Sequence, residues 1–372
     1  MSEEALRLYA GLGARPVINA YGHMTMLGGS TPSPLVGAAM ELASRYYVDM
    51  DELLEGSGRV IAGLLDCPAA LVTPGCAAAL FLGTAACMSG ADPEKMARLP
   101  DVAGLKSEVV LQQGQRYKYE RVVRMTGARI VPAGDAAGTS AAQLEAALGP
   151  QTLALLYPAH DEREGLVPLQ EAIGIAHRRG VPVIVDAASR VYPVDGLKKY
   201  CAWGADLVGY GAKYIGAPNS TGILCGRADL VEAARRHGFA AFERRGLPGA
   251  GRALKIDRQE VVAVVAALRE WLAMDHQARF AAAGRRGQRL REGLAGLPGL
   301  SFAPEAGEAA WLSVAVDPQR AGRSADQLAE ELRQGHPAVW ASVQGEALQF
   351  DLGPVWEGDE AVIAARVRAV LG

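Results

Sequence analysis

Between residues 56 and 240, short apolar runs alternate with amphipathic helical stretches, and no other feature restricts the fold of this chain so tightly. Strands separated by helices pair side by side in one direction, which gives a mainly parallel sheet with helices on its faces. Seven runs read as strands: Ala70–Val72, Glu108–Leu111, Ala128–Val131, Thr152–Tyr157, Val181–Val185, Ala205–Tyr210 and Gly222–Cys225. Leu169–Arg179 is an amphipathic helix stopped by Gly180. After Lys255 the character changes. A long apolar helix (Val261–Ala273) and a basic one (Gln277–Leu294) precede short strands near Trp311–Val314 and Leu348–Asp351, and Asp359–Leu371 closes the chain as a helix. The pattern predicts an α/β domain over residues 56–254 and a smaller α+β domain over 255–372. Residues 1–55 are expected to pack near the smaller domain and a dimer interface. A length of 372 residues suits one large and one small core.

Charge and composition exclude several classes. The net charge of −3 lacks the broad positive field of a nucleic-acid binder. Arg235-Arg236 and Arg244-Arg245 read as solvated helix and loop ends. Met1-Ser2-Glu3-Glu4 carries acid where a signal peptide carries base, and no apolar run approaches a membrane span, so a cytoplasmic location is expected. Cys67, Cys76, Cys87, Cys201 and Cys225 form no CxxC pair. They read as reduced core thiols, and no metal-ligand spacing occurs, so no metal is expected.

Active sites of parallel α/β sheets form beyond the carboxyl ends of the strands, and three such ends carry suitable groups. The first is Thr73-Pro74-Gly75-Cys76-Ala77, a turn that runs into a helix of small residues. The unpaired N–H groups and positive dipole end of that helix suit a phosphate, although a plain strand–turn–helix junction has the same pattern. The second is Asp186, which ends a wholly apolar strand. A buried carboxylate needs a partner, which a protonated pyridine nitrogen supplies; a helix cap is the alternative. The third is Lys213, set among Gly211, Ala212, Tyr214 and Ile215 just past a buried strand. Desolvation makes the neutral amine available for imine formation, whereas a snorkelling surface lysine is the blander account. A phosphate turn, an Asp ending a strand and a Lys one strand later form a specific combination, and it points to pyridoxal phosphate.

Those residues, with Arg15-Pro16-Val17-Ile18-Asn19-Ala20-Tyr21-Gly22, Thr25, Asp49-Met50-Asp51-Glu52-Leu53, Asp186-Ala187-Ala188-Ser189, Gly204–Lys213, Asn219–Leu224 and Arg252-Ala253-Leu254-Lys255, resemble the fold-type I pyridoxal-phosphate enzymes. More narrowly, they resemble the selenocysteine synthase-related group, which includes D-glucosaminate-6-phosphate ammonia-lyase. The resemblance implies that Lys213 is the Schiff-base lysine, that Asp186 binds the ring nitrogen, and that Cys76 and Ala77 give N–H groups to the phosphate beside Gly75. Where relatives often carry a ring-stacking histidine this chain has Gln115, with Tyr119 as an alternative. Relatives frequently carry an arginine after the late Asp-Leu pair, but Gly353 follows Asp351-Leu352 here. Arg252 is therefore the first candidate for the substrate carboxylate. Tyr21, Thr25, Ser189 and Arg190 are further candidates around substrate or cofactor. His160, just past a strand end, is a candidate acid/base group or else a loop histidine.

The resulting expectation is a lyase acting at Cα and Cβ of a hydroxylated amino acid or amino-sugar acid. It removes water and then releases ammonia to leave a 2-keto acid. An aldolase, racemase or aminotransferase would use nearly the same residues. Selenium transfer on seryl-tRNA, or a non-catalytic cofactor-binding protein, is a more remote alternative. The resemblance also implies a homodimer or larger homo-oligomer.

Overall fold

The computed structural model describes residues 3–159, 163–302 and 310–372. In chain order the strands are β1 (Val17–Ala20), β2 (Ala69–Thr73), β3 (Glu108–Gln112), β4 (Arg129–Ala133), β5 (Thr152–Pro158) and β6 (Val183–Asp186). They continue with β7 (Leu207–Gly211), β8 (Gly222–Gly226), β9 (Leu300–Phe302), β10 (Trp311–Val316), β11 (Ala338–Gln344) and β12 (Ala347–Asp351). They form two sheets, one in each of two compact units, residues 30–273 and residues 1–29 with 274–372.

The larger unit holds a seven-stranded sheet in the order β2-β8-β7-β6-β5-β3-β4. All its pairs are parallel except those of β8, which runs antiparallel to both β2 and β7. Strands β5 to β8 are buried along their whole length. That is the pattern of a parallel sheet covered on both faces, and it explains why these runs read as continuously apolar. The helix Gly75–Ser89 has no charged residue and is buried on nearly every side from Ala78 to Ala86. A Cβ on its Gly83 would come 3.1 Å from Leu207 Cδ1, and one on Gly209 the same distance from Cys76 Sγ. The small residues of this helix therefore let it lie close against β7.

The smaller unit holds a five-stranded sheet in the order β1-β11-β12-β10-β9, antiparallel except for β1 and β11. Its core includes Ile18, Leu290, Val314, Leu328, Val339, Phe350, Ile363 and Val367, contributed by strands and by helices on one side of the chain's later half. Boundaries are expected at 55 and 254 from the sequence pattern, whereas the compact units divide at 29 and 273. The helix Arg258–Ala273 accounts for the second difference. It buries Val261, Val264, Leu268 and Trp271, the Trp271 indole N–H donates to the Val191 carbonyl at 3.0 Å, and Glu270 accepts from Ser33 at 2.6 Å, all within the larger unit.

Candidate active site

The chemistry-bearing residues collect at one edge of the larger sheet because β2, β6 and β7 all end there. Strand β2 leads into Pro74 and Gly75, β6 ends in Asp186, and β7 leads through Gly211 into the short helix Ala212–Ile215 that carries Lys213. Asp186 lies in register with Gly209 of β7. The amide of Gly211 donates to the Ala188 carbonyl at 2.9 Å, which ties the two strand ends together.

Asp186 is 4% exposed, and both of its oxygens are engaged. Oδ1 accepts from the Ala188 amide at 3.1 Å and from the Cys76 thiol at 3.5 Å. Oδ2 accepts from the Tyr117 hydroxyl at 2.6 Å. Burial, and then the negative charge of Asp186, push the Tyr117 hydroxyl far above the ordinary range of a phenol. The same two causes in the same order raise the Cys76 thiol, so both groups keep their protons and serve as donors.

The first turn of Gly75–Ser89 begins without a side-chain cap, since Pro74 stands at the cap position. Its N–H groups have no carbonyl within the helix, which leaves them available to an anion. Gly75 has φ +83, a left-handed conformation that a side chain would strain. Gly222, at the start of antiparallel β8, backs this turn: a Cβ there would lie 2.4 Å from the Gly75 carbonyl carbon and 2.6 Å from the Cys76 nitrogen. The turn can thus sit where it does only against a residue with no side chain.

Lys213 is partly buried, and burial lowers its pKa from the ordinary 10.5. Its ammonium lies 5.1 Å from the centre of the Tyr214 ring. Burial raises the Tyr214 hydroxyl in turn, followed by the charges of Tyr119, Cys76 and Asp186. The buried carboxylate, the anion-ready turn and the desolvated amine fit pyridoxal phosphate, which presents a ring nitrogen, a phosphate and a carbonyl carbon.

The other candidate residues have surroundings of their own. Gln115 is 1% exposed and engaged inside the protein, accepting from Gln112 at 3.1 Å and donating to the Pro158 carbonyl at 3.3 Å. Ser189 and Arg190 are exposed in the turn after Asp186, and Arg190 Nε donates to the Ala159 carbonyl at 3.1 Å. Arg252 pairs with Glu243 at 2.6 Å and lines a cleft of about 430 Å³ with Asp49, Glu243, Arg244 and Lys255. Tyr21 and Thr25 belong to the smaller unit. Tyr21 packs edge-on against Trp340 with ring centres 6.4 Å apart, and Thr25 opens the short helix Thr25–Leu27. His160 lies outside the described residues. Tyr117 was missed in the sequence. Its signal was present, because a buried carboxylate calls for donors and Tyr117 lies in the segment already singled out for Gln115 and Tyr119.

The family model for Aminotransferase class-V matches residues 112–346. The chain belongs to that family. It is 36% identical over 345 residues to a 5'-C-glycyluridine monooxygenase-decarboxylase of a Streptomyces species, covering 89% of this chain and 83% of the relative. It is 31% identical to the D-glucosaminate-6-phosphate ammonia lyase of Salmonella typhimurium, covering 98% and 97%. A solved structure of D-glucosaminate-6-phosphate ammonia-lyase superposes with a TM-score of 0.87 at 30% identity and 98% coverage of both chains. The protein is accordingly a fold-type I pyridoxal-phosphate enzyme, as the sequence resemblance implied. Among the described residues no helix is long and apolar enough to cross a membrane, and no cluster of His, Cys, Asp and Glu could hold a metal.

Two outcomes follow from this geometry. Gly222→Ala should weaken pyridoxal-phosphate binding by roughly tenfold or more, since the turn at Gly75 and Cys76 must shift; absorbance titration of the apoprotein reads the affinity, and unchanged binding would refute the role of the close approach. The second concerns pH. With a lowered folded-state pKa, Lys213 opposes folding wherever the unfolded chain holds its proton more readily. Its penalty is full below that folded pKa and vanishes as pH rises towards 10.5. Apo Lys213→Met should therefore be more stable than apo wild type at pH 7, with the gap closing at alkaline pH in urea unfolding curves.

Proposed function

We propose that the enzyme is a lyase that removes water, and then ammonia, from a hydroxylated amino acid or amino-sugar acid, ending in a 2-keto acid. The observation that carries this reading is the desolvated amine of Lys213 one strand from the buried carboxylate of Asp186. The D-glucosaminate-6-phosphate ammonia lyase likeness along nearly the whole of both chains supports it.

Bound pyridoxal phosphate supplies the electron sink that makes a bond at Cα of an amine substrate breakable. Asp186 holds the proton of the ring nitrogen, and the donors on its two oxygens fix where its charge points. The N–H groups of the first turn after Gly75, including those of Cys76 and Ala77, hold the phosphate. With cofactor and substrate bound, the Lys213 amine would be the base that takes the proton from Cα and returns one to the leaving hydroxyl. Arg252 and Arg190 are the guanidinium groups we assign to the substrate's acidic end, a fork that matches a carboxylate in geometry.

The resemblance to fold-type I enzymes and the exposed apolar side chains Leu35, Leu42, Tyr46 and Tyr47 support a homodimer or larger assembly. Sedimentation should report a species of at least twice 39.0 kDa; a monomer at micromolar concentration would contradict that assignment.

A second reading, oxygen-dependent decarboxylation, is favoured by the 36% identity to the monooxygenase-decarboxylase. It differs in which bond at Cα is broken, and that depends on where the substrate carboxylate is held. One experiment separates the two. The holoenzyme is offered D- and L-hydroxyamino acids, amino-sugar acids and glycyl-bearing nucleosides, while visible absorption, ammonia, carbon dioxide and dissolved oxygen are followed. Ammonia without oxygen uptake supports the lyase, and oxygen uptake with carbon dioxide release replaces it with the second reading. Lys213→Ala should lose the lysine-dependent visible band and lower turnover by roughly 10²- to 10⁴-fold. Full activity in that variant would remove Lys213 from the mechanism.

A further inference from the structure

One histidine that the mechanism does not use is sealed inside the larger unit with both ring nitrogens engaged. His237 ends the helix Ala228–His237 and is 0% exposed. Its Nδ1 accepts from the Ala250 amide at 3.3 Å, and its Nε2 lies 2.7 Å from the hydroxyl of Ser89, the last residue of the Gly75–Ser89 helix. An amide can only donate, so Nδ1 offers the lone pair and Nε2 carries the proton that goes to Ser89. The Ser89 hydroxyl lies in turn 3.0 Å from the Ala85 and Gly90 carbonyls. Burial pushes the His237 pKa down to about 4, so the ring stays neutral near pH 7 and keeps this division of roles.

The backbone of His237 grips the same segment. Its carbonyl accepts from the Gly251 amide at 2.9 Å, and Gly238 and Gly251 form an isolated parallel bridge. Neither Gly249 nor Gly251 has room for a side chain. A Cβ on Gly249 would lie 2.5 Å from the His237 carbonyl oxygen, and one on Gly251 would lie 2.6 Å from Leu82 Cδ2. Residues 249–251 are thus pressed against His237, and Arg252 follows directly. The Leu254 amide returns to the Gly251 carbonyl at 2.9 Å, closing a turn with Arg252 at its tip. On the other side of His237, Gly238 ends one helix and opens the next, Phe239–Arg245. Phe239, Glu243 and Arg244 of that helix line the cleft of about 430 Å³ together with Arg252 and Lys255. Both segments that line the cleft therefore depart from the same point.

We infer that His237 is a positioning residue for the substrate's acidic end: its Nδ1, through the Ala250 amide, fixes the turn that presents Arg252. This rests on the assignment of Arg252 to the substrate made above. The two ring bonds do different things. The bond to Ser89 joins the clamp to the Gly75–Ser89 helix and contributes stability. The bond to Ala250 holds the turn, and without it that amide loses its acceptor and Arg252 its fixed origin.

His237→Asn and His237→Gln separate the two bonds. The asparagine oxygen stands where Nδ1 stood and accepts from Ala250, but the side chain falls short of Ser89. The longer glutamine reaches Ser89 and not Ala250. Each variant loses one hydrogen bond, so a merely structural role predicts the same behaviour from both. The test uses the holoenzyme and two readouts: hydrogen exchange by mass spectrometry on peptides spanning 247–255, and titration of the visible band with D-glucosaminate, an amino-sugar acid, as probe. In wild type the 250 and 251 amides should exchange slowly. His237→Gln should speed that exchange and raise the Kd for D-glucosaminate, each by roughly tenfold. His237→Asn, which keeps the acceptor, should rescue both, and Arg252→Ala should raise the Kd alone. Exchange in wild type at the rate of an exposed loop would overturn the inference whether or not the variants fold. So would equal exchange in the two His237 variants, or wild-type affinity in His237→Gln beside a weakened Arg252→Ala. Unchanged binding in Arg252→Ala, or none in wild type, would instead overturn the assignment of Arg252, and with it the role of His237 towards the substrate.

Discussion

The candidate site is organised around one ionisable group that would be costly if left alone. A carboxylate at the end of a strand buried on both faces must find donors, because an unpaired charge in that setting destabilises by several kcal/mol. At Asp186 the donors come from three separate parts of the chain: the Ala188 amide just beyond the strand, the Cys76 thiol at the start of the Gly75–Ser89 helix, and the Tyr117 hydroxyl after β3. Satisfying that carboxylate therefore fixes the helix start, the β3 loop and the β6 end relative to one another. The turn that opens the Gly75–Ser89 helix and the lysine-bearing helix are positioned at the same strand ends.

Close backbone approach is the second constraint. The turn after β2 stands against β8 at Gly222 and adopts a left-handed conformation at Gly75, and the Gly75–Ser89 helix lies on β7 through Gly83 and Gly209. An antiparallel β8 inserted between β2 and β7 makes this possible, since it brings the beginning of one strand to the same edge as the ends of its neighbours. The wall of the site is thus made by an element that runs the other way through the sheet.

Much of this was legible in the residues. The seven runs expected as strands of the large domain match β2 to β8 closely, because continuous burial gives continuous apolarity. Asp186 and Lys213 stood out because each is a charge in apolar surroundings. What was not legible has a common cause. β1, β9 and β11 are short or half-exposed strands in the smaller unit, with burial that changes from residue to residue, and β1 pairs with β11 near the other end of the chain. Tyr117 takes its importance from a contact with Asp186 that no local pattern encodes. Gln115 fills the expected position in the sequence, yet its amide is engaged with Gln112 and the Pro158 carbonyl. Reaction type stayed open for a different reason: cleavage at Cα follows from substrate orientation, and relatives with different chemistry retain a similar chain.

The parallel pairing of β1 with β11 sets Val17 beside Ala338 and Ala20 beside Ala341. A strand made early in synthesis is thereby matched to one made near the end. On the ribosome, residues 30–273 can collapse into their own sheet while β1 still waits, with Ile18 and Ala20 lacking the core they later enter. The smaller unit closes only after the larger one has been translated, so the early apolar segment must stay uncommitted for most of the chain's synthesis. The brevity of β1, four residues with only two of them buried, limits how much sticky surface is exposed during that wait.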